Sequence, residues 1–334
     1  MKKILIFRNI YAGLALLAIA MLGGCKDDNK HYDITGDATN RVFVNVGSHT
    51  VNVYNGYSFS VTHTPVSTFG DSIVASFPVN CTLNATADTK VTLEIDNSLV
   101  DSYNKDNGTE YNALPDGFAE LSTSSLTIPK GSLISSDSLT VAVHSDKFAQ
   151  LTAAGYLLPI RITSISNNNN AAVSVNQNTA YVIINTVLTN CYKSPVLTDM
   201  VGTLITTRTS WTGTIDVTLT SGTISRMFDG KTSTYWYVNP AKECNVTVDL
   251  SAVTTGITGL RIHSYSTNYS LTSIAVYSSS DGSNWTSQGI ATLSTATVYQ
   301  YIKFYLPIDA RYIKLDVKGW KSAYVIMSEF DVYH

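Results

Sequence analysis

Beyond residue 40, the chain contains many short segments in which apolar and polar residues alternate, with Val, Ile or Leu at every second position. Successive side chains of a β-strand point to opposite faces, so this period of two predicts half-buried antiparallel strands. The apolar run at 181–184 predicts a more deeply buried strand. The clearest alternating sets are Val42, Val44 and Val46; Val91, Leu93 and Ile95; Leu139, Val141 and Val143; Val246, Val248 and Leu250; Leu260 and Ile262; Ile274 and Val276; and Tyr312, Ile313, Leu315 and Val317.

One helical segment interrupts the strands of the first half. Asp96 or Asn97 can cap its start, and Gly108 can end it. The run 115–117 (Pro-Asp-Gly) then predicts a turn. Together with a plausible linker at 189–196, the pattern predicts an all-β chain of two β-sandwich domains in tandem.

The first 25 residues have the layout of an export signal. A basic start precedes a short apolar run at 11–22, which is below the roughly 20 residues that a membrane span requires. The sequence Leu-Gly-Gly-Cys at 22–25 resembles the bacterial lipobox. That resemblance implies a signal peptide over 1–24 and an acylated Cys25 that begins a lipidated flexible tether over 25–40. The alternative is an ordinary signal peptide with a chance cysteine.

The residues after Cys25 bear on localisation. The sequence Lys-Asp-Asp-Asn-Lys at 26–30 resembles the surface-export signal of Bacteroidetes lipoproteins. It implies an outer-membrane protein, lipid-anchored and facing the cell exterior. The alternative is a solvated tether, for which charged residues are usual.

The composition indicates which partners the protein can bind and whether its cysteines form disulfides or bind zinc. Only 14% of residues are charged, the formal net charge is −3, and no basic stripe appears, so nucleic acid is excluded as a partner. Three cysteines remain after Cys25, an odd number that argues against a full disulfide framework. Cys81 fits a small core residue, and a Cys191–Cys244 bridge stays open. No Cys/His cluster has zinc spacing.

A set of short motifs in the first half carries a family resemblance. They are Leu-Val-Asp-Ser-Tyr-Asn at 99–104, Asn-Gly-Thr at 107–109, Leu-Pro at 114–115, Ile-Pro-Lys-Gly at 128–131 and Tyr-Leu-Leu-Pro-Ile-Arg-Ile at 156–162. Together they resemble the N-terminal β-sandwich of unknown function found in surface lipoproteins of Bacteroidetes polysaccharide-utilisation loci. The resemblance covers residues 41–188 and implies architecture without functional residues.

The second half carries five ordered motifs. They are Met-Phe-Asp-Gly-Lys-Thr-Ser-Thr-Tyr-Trp at 227–236, Val-Thr-Val-Asp-Leu at 246–250, Tyr-Ser-Ser-Ser-Asp-Gly-Ser-Asn-Trp at 277–285, Ala-Arg-Tyr-Ile-Lys-Leu at 310–315 and Ser-Glu-Phe at 328–330. This set resembles the factor V/VIII type C, or discoidin, domain, whose fold is also that of the family 32 carbohydrate-binding module. It implies a discoidin-like jelly roll over residues 195–334.

The loop at 229–234 is a candidate metal site. Ca²⁺ takes 6–8 oxygen ligands, many of them backbone carbonyls. The resemblance implies a structural Ca²⁺ held by Asp229, the carbonyl of Lys231, Thr234 and Glu329. A plain turn without metal is the alternative.

Sugar recognition requires aromatic rings for the apolar face of a pyranose and polar groups for its hydroxyls. Trp236 and Trp285 fit core or packing positions. For His263, a hydrogen-bonded histidine at a strand end remains an equal alternative. The resemblance places the binding loops at one end of the sandwich, and the predicted ligand residues are Trp211, Tyr237, His263, Tyr265, Asn268, Tyr269, Trp320 and Tyr324.

We therefore expect a cell-surface glycan-binding lipoprotein that captures carbohydrate for a polysaccharide-utilisation system, without catalysis. Glycan and outer membrane are the expected partners, with an outer-membrane transporter and glycosidases of the same locus. Acidic residues such as Asp101, Glu110, Asp116 and Glu120 show no pairing, and no nucleophile or zinc motif appears. The alternatives are an adhesin for protein or mucin and a structural subunit of an outer-membrane complex.

Overall fold

A computed structural model of the chain describes residues 39–47, 55–166 and 171–334. The predicted signal peptide, Cys25 and nearly all of the predicted tether lie outside these residues. Within the described ranges, no helix has the length and apolar character needed to cross a bilayer.

The described residues are dominated by strands, so the predicted all-β class with two domains is confirmed. Among the described residues, the one α-helix is α1 (Val100–Asn107). The strands are β1 (Asn40–Val44), β2 (Gly56–His63), β3 (Thr68–Gly70), β4 (Val74–Phe77), β5 (Val79–Cys81), β6 (Thr89–Ile95), β7 (Asn112–Ala113), β8 (Ala119–Leu121), β9 (Ser125–Ile128), β10 (Leu139–Val143), β11 (Gly155–Ile165), β12 (Ala171–Val173), β13 (Thr179–Leu188), β14 (Thr212–Ile215), β15 (Trp236–Val238), β16 (Cys244–His263), β17 (Leu271–Ser279), β18 (Thr286–Thr292), β19 (Tyr299–Trp320), β20 (Val325–Met327) and β21 (Glu329–Tyr333).

Tertiary contacts group the chain into two compact units. Of the described residues, one unit comprises those up to 59, those within 73–144 and those within 155–184, and the other comprises residues 60–72, 145–154 and 185–334. The boundaries expected from sequence, 41–188 and 195–334, stay a prediction.

The strands of the first half form three sheets. Two are three-stranded, in the orders β12-β1-β5 and β4-β10-β8. The third has seven strands, in the order β3-β2-β13-β11-β6-β9, with β7 paired to β11. The predicted alternation matches burial here: Val91 and Leu93 are fully buried in β6, whereas Ile95, at its end, is partly exposed.

The predicted helix is present with the predicted ends. Asp96 accepts a hydrogen bond from the Ser98 backbone N–H (3.2 Å) and caps a 3₁₀ turn that leads into α1. Gly108 ends α1 at φ +63°, a left-handed conformation that favours glycine.

The second half contains a sheet in the order β14-β16-β19-β17-β18, with β21 paired to β16, and a two-stranded ribbon, β15-β20. Its core runs along the inward-facing positions of β16, β17 and β19. The sets at 246–250 and 260–262, predicted as separate strands, belong to the single long strand β16. Ser251 (φ +69°) and Gly256 (φ +67°) lie where its register against β19 shifts.

Cys81, Cys191 and Cys244 are buried free thiols. The open alternative of a Cys191–Cys244 bridge is therefore wrong for this structure. Burial raises the pKa of both thiols to about 12. Cys81 is a core residue, as predicted.

Candidate functional site

The ribbon of β15 and β20 separates a core face from an outer face. The two strands pair antiparallel, with Tyr237 opposite Ile326 and Trp236 opposite Met327. Trp236 and Met327 are fully buried in the core. Because side chains alternate along a strand, Tyr237 and Ile326 share the opposite face of the ribbon.

Five tyrosine rings meet on this outer face. Tyr235 lies 4.7 Å from Tyr265 and 6.3 Å from Tyr237, measured between ring centroids. Tyr324 lies 5.7 Å from Tyr237 and 5.6 Å from Tyr269, nearly perpendicular to both. These distances and angles fall within the favoured range for aromatic pairs. The ring of Tyr324 therefore lies between the rings of Tyr237 and Tyr269 and contacts both.

A cavity of about 210 Å³ opens among these rings. We call it the tyrosine pocket, and its lining residues are Tyr235, Tyr237, Tyr265, Tyr269, Tyr324 and Ile326. Among the described residues, none of the five phenol hydroxyls has a hydrogen-bond partner in the protein. The pocket therefore offers apolar ring surface and hydroxyls that can still bind a ligand.

A short 3₁₀ turn over Thr267–Tyr269 positions one wall of the tyrosine pocket. The Ser266 side chain accepts a hydrogen bond from the Asn268 backbone N–H (3.3 Å), and the Tyr269 N–H donates to the Ser266 carbonyl (2.9 Å). At another part of the lining, Arg226 donates to the backbone carbonyl of Tyr235 (2.8 Å). The aromatic side chains thus project from backbone that is fixed by local hydrogen bonds.

Four predicted ligand residues come together in this pocket: Tyr237, Tyr265, Tyr269 and Tyr324. Sequence reasoning missed Tyr235 and Ile326. The signal for Tyr235 was its position two residues before Tyr237, which places both rings on one face of an extended segment.

Trp211 requires a correction. Its side chain is 8% exposed and packs edge-on against Phe228 (6.0 Å) and Phe330 (6.2 Å) in the core. It does not line the tyrosine pocket. Polar neighbours in the sequence suggested an exposed loop ring, but the indole packs against two phenylalanines, of which Phe330 is fully buried.

The other predicted ligand residues also lie outside the pocket lining. His263 is buried at the end of β16, against Tyr299, and burial lowers its pKa. Its Nδ1 atom has no hydrogen-bond partner among the described residues. Trp320 is half-buried and packs against the core. Asn268 is exposed on the turn that carries Tyr269.

The predicted calcium ligands surround the loop that precedes Tyr235. Asp229 accepts hydrogen bonds from the Lys231 N–H (2.8 Å) and the Thr234 hydroxyl (2.7 Å). The Thr234 Oγ1 atom is also 3.0 Å from the Lys231 carbonyl oxygen. Burial raises the pKa of Asp229, but these hydrogen bonds outweigh it and the pKa is lowered overall. The loop therefore gathers carboxylate, hydroxyl and carbonyl oxygens.

Glu329 adds a second carboxylate beside Asp229. Its two oxygens are buried and receive no well-aligned hydrogen bond, and burial raises the pKa of the Glu329 carboxyl. Arg208 Nη1 is 2.6 Å from Glu329 Oε2 and 2.8 Å from Asp331 Oδ1, and it donates hydrogen bonds to the carbonyls of Phe330 (2.9 Å) and Met227 (3.4 Å). The contact with Glu329 is an ion pair between two largely buried side chains.

A metal site here cannot rest on acidic side chains alone. In the described part of the chain, no group of three or more His, Cys, Asp or Glu side chains could hold a metal ion. The oxygen-only donor set nevertheless fits Ca²⁺.

Two family models match the chain. Residues 207–330 match the F5/8 type C domain, and residues 38–169 match a family of N-terminal domains. No curated protein matches the chain.

A two-domain protein of unknown function from Bacteroides fragilis is similar over 89% of this chain and 95% of its own, with a TM-score of 0.63 and 18% identity. A putative carbohydrate-binding protein from Bacteroides ovatus covers 72% of this chain and 51% of its own, at 17% identity and a TM-score of 0.36. The family 32 module of NanJ from Clostridium perfringens, solved with galactose, covers 40% of this chain and 98% of its own, at 19% identity and a TM-score of 0.36.

Proposed function

We propose that this protein, whose residues 207–330 form an F5/8 type C domain, binds a glycan at its tyrosine pocket without cleaving it. One observation carries the proposal: five tyrosine rings surround a cavity of about 210 Å³, and their hydroxyls have no protein partner among the described residues. The rings can pack on the C–H face of a pyranose, and the hydroxyls can bind its hydroxyl groups.

The shape of the site favours a glycan over the two alternative functions. A protein-binding surface is expected to be an exposed apolar patch of several hundred Å². A small concave site with aromatic walls and convergent polar groups is instead typical of small-molecule recognition. A purely structural subunit gives no reason for Tyr265 to stand half exposed at the edge of such a cavity.

A glycan-array screen of residues 26–334 tests this function directly. We expect binding to a defined glycan. If correctly folded protein binds no glycan on a broad array, the proposal is wrong, and the search moves to protein partners from the outer membrane.

The proposal includes capture at the cell surface for a polysaccharide-utilisation system, with glycosidases and a transporter as partners. It rests on the resemblance of residues 22–25 to a bacterial lipobox and of residues 26–30 to a surface-export signal. Two or more acyl chains anchor a protein stably, whereas one binds marginally.

Substitution Cys25→Ala tests the anchor. We expect the wild-type protein in the outer-membrane fraction and accessible to protease added to intact cells. The variant should move to the soluble fraction, because it has no thiol to acylate. Asp27→Ala/Asp28→Ala is the companion variant, expected to keep the anchor and lose protease access. Equal membrane association of Cys25→Ala and wild type would contradict the lipid anchor.

We further propose that Asp229, Thr234, Glu329 and the Lys231 carbonyl hold a structural Ca²⁺. The buried Oε1 atom of Glu329, which has no hydrogen-bond partner among the described residues, supports this proposal. Bound calcium would add positive charge between two carboxylates and fix the loop that leads into Tyr235.

Calcium is then expected to stabilise the second half of the chain. At a free concentration of about 100 times Kd it contributes about 2.7 kcal/mol, which raises Tm by about 5–10 °C in a domain of this size. All four tryptophans lie between residues 211 and 320, so their fluorescence follows this half selectively.

Two variants make the calcium experiment specific. Asp229→Asn should abolish the difference in Tm between calcium and EDTA. Asp281→Asn is the matched control, because Asp281 also precedes a glycine in a turn and accepts the Ser283 N–H (2.8 Å). A wild-type Tm that is unchanged by EDTA would refute the proposed site.

A further inference from the structure

The lining of the tyrosine pocket consists of five tyrosines and one isoleucine. None of the six residues is an Asp, Glu, Lys, Arg or His. Along the chain, the cations nearest to the lining residues are Lys321, Lys231 and Arg261. Lys231 and Lys321 are exposed to solvent, and Arg261 pairs with Asp331 (2.8 Å). The Arg226 guanidinium is already donating to the Tyr235 carbonyl. A carboxylate or sulfate placed among the rings would therefore lose water without gaining an ionic partner from the residues that line the pocket.

The ring faces of the tyrosine pocket also differ from those of other aromatic residues of the same half, because no cation lies over them among the described residues. Elsewhere in this half, cationic groups lie 4.4–4.9 Å from the centroids of aromatic rings. The pairs are Arg261 with Tyr299, Lys303 with Tyr192, Arg311 with Tyr312, and Lys314 with both Tyr277 and Trp285. Among the described residues, no such contact involves a ring of the tyrosine pocket. Ring faces are electronegative, so uncovered faces repel an anion and attract the polarised C–H groups of a neutral sugar.

The volume limits how a charged substituent could be accommodated. Pockets for drug-sized ligands span about 300–1,000 Å³, so the cavity of about 210 Å³ suits one sugar ring rather than a chain. A bound ring then has its substituents close to the tyrosine walls and to Ile326, which is 4% exposed. An acidic group that faces these walls is desolvated when the ring binds.

We infer that the tyrosine pocket selects a single uncharged pyranose residue and rejects its acidic counterpart. This inference rests on the proposed glycan-binding function and names the ligand class of the same site. It concerns the chemistry of the bound residue, and not the identity of the glycan that carries it.

Matched pairs of glycosides test the selection. Each pair has the same linkage and aglycone, with a hydroxymethyl group in one member and a carboxylate in the other: galactosides against galacturonosides, and glucosides against glucuronosides. Titration calorimetry of residues 26–334 at fixed ionic strength should show at least tenfold weaker binding of the acidic member in every pair that binds. Equal or tighter binding of the acidic member overturns the inference but leaves glycan binding intact.

A charge-introducing variant makes the test independent of the glycan chosen. Tyr265 is 50% exposed, so Tyr265→Arg should fold, which tryptophan fluorescence verifies. We expect it to raise the affinity for the acidic member relative to the neutral one by about tenfold. The control, Tyr312→Arg, should leave that ratio unchanged. An unchanged ratio in Tyr265→Arg contradicts the inference, whereas binding of no glycoside or array glycan contradicts the proposed function and the inference together.

Discussion

Replacing Tyr324 with alanine is expected to weaken glycan binding by about 30-fold or more. Tyr324 contacts Tyr237 on one side and Tyr269 on the other, so its removal opens the centre of the tyrosine pocket. Central aromatic residues of binding sites typically contribute at least 2 kcal/mol, which corresponds to about 30-fold in Kd. Its half-buried ring lies on the outer face of the ribbon, so the core remains packed.

The measurement is titration of a glycan identified on the array, with Tyr312→Ala as the matched control. Tyr312 is also a half-buried tyrosine of the same half, but its ring contacts Arg311 and does not line the pocket. The control should bind within about twofold of wild type. Full binding by a folded Tyr324→Ala protein would place the glycan elsewhere and remove the tyrosine pocket from the proposal.

The residues that each strand buries could be predicted from the sequence, because their burial follows from the local alternation of apolar and polar residues. Val246 and Val248 are buried in β16, and Leu139 and Val141 are buried in β10, as their spacing indicates. Long-range connections could not be predicted in the same way. The continuity of β16 depends on its pairing with β19 and β21, and these partners are far away in the sequence.

The candidate site was only partly predictable for a related reason. Tyr237, Tyr265, Tyr269 and Tyr324 stand in polar stretches, where an aromatic ring has few local core partners. Trp211 stands in a similar stretch, yet its ring is covered by contacts with Phe228 and Phe330, which are distant in the sequence from each other. A polar local sequence therefore indicates that an aromatic residue does not belong to an alternating strand. Whether its ring is buried depends on residues that tertiary packing brings against it.

A substitution on the core face of the same ribbon is expected to have a second large effect, on the stability of the protein. Trp236→Ala should destabilise the second half of the chain by about 3–5 kcal/mol, as expected when a fully buried indole is truncated. A fall in Tm of about 10 °C or more follows for a domain of this size. The three remaining tryptophans, Trp211, Trp285 and Trp320, report the transition.

Two comparisons separate the core face of the ribbon from its binding face. Trp236→Phe should lose less than half as much stability, because it keeps a ring and because the indole Nε1 has no hydrogen-bond partner among the described residues. Tyr235→Ala, one residue earlier, should cost about 1 kcal/mol or less in stability but weaken glycan binding. Similar destabilisation by Trp236→Ala and Tyr235→Ala would show that the two faces are not distinct. The predicted contrast instead follows from one property of extended backbone: neighbouring side chains point in opposite directions, so packing and recognition can be assigned to consecutive residues.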